Sequence, residues 1–185
     1  MALTKTPVCD FGKKAENFKL KSIDNKIITL NDIKGEKATL IMFICNHCPY
    51  VKAIIKDLAK DCNELKKDGI NSVAIMSNDT KNYPEDSFEN MIKFADNNNF
   101  GEINYLFDET QEIAKKYGAV CTPDFFGYNK DLSLQYRGRF RELKDLKPIN
   151  NGDSDLKIAM KIVAQTQKGP DQQIPSMGCN IKWFN

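Results

Sequence analysis

From Ala38 to Ile44 the chain carries a single polar residue, and from Val51 onward its apolar positions switch to a helical period. A run of that length and character fits a strand buried on both faces. After it, Val51, Ile54, Ile55, Leu58, Cys62 and Leu65 recur at the spacing of one helix face, through Lys67. Pro49 falls in the first turn, where its missing N–H costs little, and Gly69 ends the helix. A buried strand that feeds straight into an amphipathic helix restricts the chain to layered α/β architectures.

The rest of the pattern agrees. Phe18-Lys19-Leu20 and Ile27 to Leu30 flank Asp24-Asn25, which reads as a hairpin turn. Ile70 to Met76 is a second apolar strand, and Tyr105-Leu106-Phe107 a short third one. Between them, Pro84 to about Asn97 reads as one helix, with Phe88, Met91, Ile92 and Ala95 on its apolar side. Thr110 to Tyr117 is helical and closed by Gly118. Phe125–Tyr128 and Leu132–Tyr136 make a hairpin, and Asp153 or Ser154 caps a last helix bearing Leu156, Ala159, Met160 and Val163. The expectation is an α/β fold with a central mixed β-sheet flanked by helices. One domain spans 1–185, with a core of about 11–165 and an irregular tail over 169–185.

Lys and Arg number 27 against 25 Asp and Glu, so the net charge is +2, and the basic residues form no block. That balance offers no footprint for nucleic acid or an anionic membrane surface. No run reaches membrane-spanning length, and Met1 to Pro7 shows no apolar leader segment. The expected location is the cytoplasm, where six cysteines point to catalysis, metal binding or burial rather than structural disulfides.

Chemistry concentrates at the strand–helix junction, Cys45-Asn46-His47-Cys48. Unpaired N–H groups and the dipole at a helix N-terminus stabilise a thiolate. Helical spacing places the two sulfurs on neighbouring positions, with Cys45 at the more exposed end and Cys48 deeper. That asymmetry gives Cys45 the attack on a disulfide and Cys48 the resolution of the mixed disulfide. His47 is the sole histidine. An imidazolium there, with Asn46 beside it, would tune the thiolate and raise the reduction potential of the pair. Thr122-Pro123 enters the following strand directly after Cys121, while Cys179 lies in the tail. Cys121 and Cys179 are candidate third and fourth thiols, or small buried residues without chemistry. Together with Cys45 and Cys48 they would make a four-thiolate metal set of the kind that selects zinc or copper(I).

Taken together, the order of elements, the Cys-x-x-Cys and the later Thr-Pro resemble the thioredoxin superfamily. Ala15 to Leu20 and Leu30 to Gly35 are similar to the redoxin branch, which includes the alkyl hydroperoxide reductase/thiol-specific antioxidant proteins. Cys45 to Val51, Cys121 to Phe126 and Ser176 to Trp183 look like a peroxiredoxin-like subgroup that carries a Cys-x-x-Cys. The resemblance implies a thioredoxin-like fold with an N-terminal β-hairpin extension and Cys45 as nucleophile with Cys48 as its partner. It also implies a cis Pro123 facing the pair, with Thr122 presenting backbone to substrate. The implied activity is thiol–disulfide exchange without a cofactor, and an imidazolium at His47 puts the expected potential above thioredoxin's. The implied partners are a protein or small-molecule disulfide and a reductant such as thioredoxin or glutathione; redoxin relatives often form homodimers. A thiol peroxidase is the alternative within the branch. True peroxiredoxins place a Thr three residues before the peroxidatic Cys, and here that residue is Met42.

Overall fold

The computed structural model describes residues 3–184. Its elements in chain order are β1 (Leu3–Lys5), β2 (Lys19–Ser22), β3 (Ile27–Thr29), β4 (Ala38–Phe43), α1 (Pro49–Lys67), β5 (Ile70–Met76), α2 (Phe88–Asn97), β6 (Asn104–Phe107) and α3 (Glu112–Tyr117). Then come β7 (Cys121–Thr122), β8 (Asp124–Asn129), β9 (Leu134–Tyr136), the small hairpin β10 (Leu143–Lys144) and β11 (Lys147–Pro148), α4 (Asp155–Thr166) and β12 (Met177–Asn180).

Seven strands form the central sheet in the order β3-β2-β6-β5-β4-β8-β9. β4, β5 and β6 are parallel, joined by crossovers through helices, and the outer strands are antiparallel, so the sheet is mixed as expected. The β2–β3 hairpin is the N-terminal extension. β4 sits in the middle, and every one of its residues is buried. Its side chains alternate: Leu40 and Met42 join α1 and α4 in one core, whereas Ile41 and Phe43 join α3 in the other. The two-sided core explains why β4 reads as a continuous apolar run. It also holds the β4–α1 junction rigidly, because both ends of that turn are anchored in packed layers.

Two expectations need correcting. The segment 84–97 is not one helix: Pro84–Asp86 forms a single 3-10 turn, and Ser87 then caps α2 by accepting from the Asn90 N–H. A serine hydroxyl in extended backbone competes for that N–H and resets the helix start. The tail is not irregular throughout. Met177–Asn180 forms β12, which lies between β1 and β7 in a separate three-stranded sheet.

Candidate active site

Cys45 and Cys48 lie where the buried strand gives way to the helix. β4 ends at Phe43, and α1 begins at Pro49. Neither cysteine is helical: Cys48 is the N-cap of α1, in extended backbone, and Cys45 lies three residues further out. The expected exposure of Cys45 is overturned. It is 1% exposed and Cys48 0%, because Thr122-Pro123 and β12 cover the junction.

The Thr122–Pro123 peptide is cis, and the loop reaches both sulfurs. Thr122 Oγ1 stands 3.2 Å from Cys45 Sγ, and the Thr122 carbonyl oxygen stands 3.1 Å from Cys48 Sγ. Cys179 Sγ, delivered by β12, is 3.0 Å from Cys48 Sγ. Cys179 is 3% exposed, as closed off from solvent as the other two. Cys121 belongs to the same small sheet, but its sulfur turns to the Pro123 carbonyl, 3.6 Å away. Burial first, then the Asp124 carboxylate, drives its thiol far above the ordinary range. The four cysteines therefore do not converge as a ligand set. Among the described residues, the one group of three metal-ligating side chains within common reach is Cys45, His47 and Asp86.

Asp86 organises the junction from beneath. It is fully buried and accepts four hydrogen bonds: from the Asn46 N–H at 2.7 Å, the His47 N–H at 3.3 Å, His47 Nδ1 at 2.7 Å and Asn78 Nδ2 at 2.8 Å. Such a carboxylate fixes the backbone and the side chains around it. Asn46 adds a second clamp, accepting from the Tyr105 hydroxyl at 2.9 Å and donating to the Glu85 carbonyl at 3.1 Å. The His47 ring stacks on Tyr83. Asp86 and Asn78 have no local sequence signature, because they meet the cysteines only across the fold.

Charge follows from these neighbours. The hydrogen bond from Cys45 draws Cys48 down, to about 5, although burial opposes it; Cys179 and the backbone N–H groups of Val51 and Cys179 add to the effect. Cys45 moves the other way. Its bond to Cys48, its burial and the Asp86 carboxylate all hold its proton on, and only Thr122 works against them. The two sulfurs are thus pushed in opposite directions, Cys48 down and Cys45 up. The Thr122 carbonyl oxygen, 3.1 Å from Cys48 Sγ, works against the fall by accepting from its thiol. His47 is raised by its hydrogen bond to Asp86, against burial. Its nearest partner is thus a carboxylate, and a ring nitrogen also lies within 4.8 Å of the Cys45 sulfur.

A cavity of about 480 Å³ opens beside Pro123, lined by Tyr50, Ile54, Phe140, Ile174, Arg139 and Arg141 among others. A buried thiol pair at the start of a helix, a proline loop across it and an adjoining groove suit nucleophilic sulfur chemistry.

The comparisons agree with this reading. The AhpC/TSA family model matches residues 11–140. No curated protein matches the chain. Among solved structures, an uncharacterized conserved protein from Geobacillus kaustophilus is 40% identical, with a TM-score of 0.94, over 100% of this chain and 97% of that one. A hypothetical protein from Sinorhizobium meliloti is 36% identical, with a TM-score of 0.90, over 98% of each chain. The thioredoxin domain of a thiol-disulfide oxidoreductase from Bacteroides vulgatus shares the fold at 18% identity, with a TM-score of 0.58, over 69% of this chain and 86% of that one. Fold and family are therefore those the sequence resembled: the sheet is thioredoxin-like, and the chain belongs to the AhpC/TSA family.

Proposed function

We propose that the protein is a thiol–disulfide oxidoreductase whose redox couple is Cys45–Cys48. The observation that carries this reading is the geometry at the helix N-terminus: Cys48 caps α1, and the cis Thr122–Pro123 loop meets both sulfurs, Oγ1 at 3.2 Å from Cys45 Sγ and the carbonyl oxygen at 3.1 Å from Cys48 Sγ. The sequence order gave the attack to Cys45. The two sulfurs are equally buried, and the direction of their shifts supports the reverse, with Cys48 attacking. The Cys48 thiolate displaces one sulfur of a substrate disulfide, which leaves as a thiolate. Cys45 then gives up its proton, attacks Cys48 in the mixed disulfide and releases the second substrate thiol. Two electrons have passed to the substrate, and the Cys45–Cys48 disulfide remains. The groove beside Pro123, with aromatic, aliphatic and arginine side chains, suits a peptide or small disulfide. A cytoplasmic thiol such as thioredoxin or glutathione would restore the couple.

The test is mass analysis of rapidly alkylated protein equilibrated across glutathione buffers. Wild type is expected to show one two-electron transition joining Cys45 to Cys48. Its midpoint should lie above thioredoxin's value of about −270 mV, because a stabilised thiolate favours the reduced form. The transition should vanish in Cys48→Ser. Sulfurs that stay reduced in every buffer would end this reading. Trapping assigns the attack: a mixed disulfide that accumulates on Cys45 in Cys48→Ser restores the sequence order.

Thr122 Oγ1 favours a second reading, thiol peroxidase. It places a hydroxyl 3.2 Å from Cys45 Sγ, a role for which the sequence offers only Met42. A rate with hydrogen peroxide no greater than a free thiol's removes it.

A further inference from the structure

The C-terminal strand supplies a thiol that the Cys45–Cys48 couple leaves unused. β12 is held in place along its whole length. Leu3 and Thr122 are the register partners of Cys179 on either side. The Ser176 hydroxyl donates to the Pro123 carbonyl at 2.9 Å, the Lys182 N–H to Asn78 Oδ1 at 2.9 Å, and the Asp79 N–H to the Lys182 carbonyl at 2.8 Å. Gly178 lets the strand approach so closely, since a Cβ at that position would lie 2.0 Å from the Thr122 carbonyl oxygen. These contacts carry Cys179 Sγ to 3.0 Å from Cys48 Sγ.

Cys48 Sγ is the sulfur that Cys179 reaches, Cys45 Sγ meets Thr122 Oγ1 instead, and the three sulfurs do not all lie within 4.8 Å of one another. Exchange at sulfur begins with a thiol in contact with the sulfur it attacks, and Cys179 is in that position towards Cys48.

We propose that Cys179 is a third redox thiol, which attacks Cys48 in the Cys45–Cys48 disulfide and forms a Cys48–Cys179 disulfide that staples β12 to the start of α1. This rests on the oxidoreductase reading above. The step balances internally. Cys179 gives up its proton, its sulfur bonds to Cys48 Sγ, the Cys45–Cys48 bond breaks, and Cys45 leaves as a thiolate that takes up the proton. One disulfide is lost and one formed, so no further oxidant enters. Burial, then the hydrogen bond and charge of Cys48, push the Cys179 thiol up to about 12 in the reduced protein. The Cys48 share of that effect disappears once Cys48 is bonded to sulfur, while burial, the larger share, stays. The exchange moves the disulfide from Cys45 to Cys179, on the strand that covers the junction.

The experiment is disulfide mapping of the full chain after oxidation with oxidised glutathione, acid quench, alkylation and digestion. Wild type should yield both the Cys45–Cys48 and the Cys48–Cys179 linked peptides. Cys45→Ser should keep only the second, and Cys179→Ser only the first; Cys179→Ala should repeat the second variant's result. In Cys45→Ser a glutathione adduct on Cys48 should clear about tenfold faster, or more, than in Cys45→Ser/Cys179→Ser, because the flanking thiol acts intramolecularly. If Cys179→Ser forms Cys45–Cys48 while Cys45→Ser keeps a stable glutathione adduct and a fully alkylated Cys179, the third-thiol inference fails and the couple stands. If no variant forms Cys45–Cys48, the couple itself fails.

Discussion

The helix α1 is bounded by one buried cysteine and carries another, and the two have opposite chemistry. Cys48, its N-cap, is 0% exposed and ionises at about 5; Cys62, in its later turns, is 2% exposed and is pushed up to about 12. Both are closed off from solvent, so their neighbours make the difference. Cys62 meets the Met42 thioether at 3.9 Å and other apolar neighbours, and desolvation decides its behaviour. Cys48 faces two thiols and two backbone N–H groups, and these overcome its desolvation. The position on the helix chooses the partners, and the partners choose the chemistry.

Four measurements break or sharpen this contrast. The largest effect is expected from Cys48→Ser. Thiolate absorbance followed against pH should lose its component near 5, and the redox transition should go with it; Cys62→Ser should leave both intact. Asp86→Asn comes next. It replaces two acceptor oxygens by one, so at least one buried donor among the Asn46 N–H, His47 and Asn78 loses its partner, at a cost of about 1–3 kcal/mol in denaturant unfolding. The same variant should lower the His47 pKa towards its ordinary value of 6.5, read by NMR. The sign is fixed by the raised value in the folded protein. The His47–Asp86 pair contributes in full below about pH 6.5 and is lost as pH rises through the raised value, so wild type should lose this increment on going alkaline and Asp86→Asn should not.

Gly178→Ala is expected to cost about 1–3 kcal/mol, because the added methyl overlaps the Thr122 backbone and β12 must shift. Its diagnostic is a fall in Cys179 bridging with Cys45–Cys48 bridging retained. Cys62→Ala is the smallest, about 1 kcal/mol from one lost core sulfur, with no change in redox behaviour.

What was legible in the sequence was what local pattern encodes. The apolar run of β4, the 3.6 period of α1, Pro49 and Gly69 fixed the junction, and the Cys-x-x-Cys sat within it. The β2–β3 and β8–β9 hairpins followed from alternation and turn residues. What stayed hidden was non-local. Ser87 interrupts a helical pattern through a cap, a choice between two hydrogen bonds for one N–H that periodicity does not register. Asp86 reads as a surface acid in Pro84-Glu85-Asp86, yet it is buried because its partners arrive from 39 or 40 residues away. β12 is too short and too glycine-containing to read as a strand, and only its two neighbours make it one. The exposure of Cys45 was misjudged for the same reason: the strand that covers its neighbour lies 131 residues along the chain from Cys48.

The pairing of β1 with β12 also has a consequence for biosynthesis. Synthesis proceeds from the N-terminus, and partially made chains begin to fold as they emerge. All seven strands of the main sheet precede Arg137, so the β4–α1 junction and its two cysteines can form while Met177–Asn180 are still unmade. Until those residues arrive, Thr122 has no partner strand, Leu3 to Lys5 have none either, and Cys48 lacks the thiol at its side. A nascent chain therefore passes through an interval in which its most easily ionised sulfur is formed but uncovered, and reducing surroundings during translation would protect it from capture by the wrong thiol.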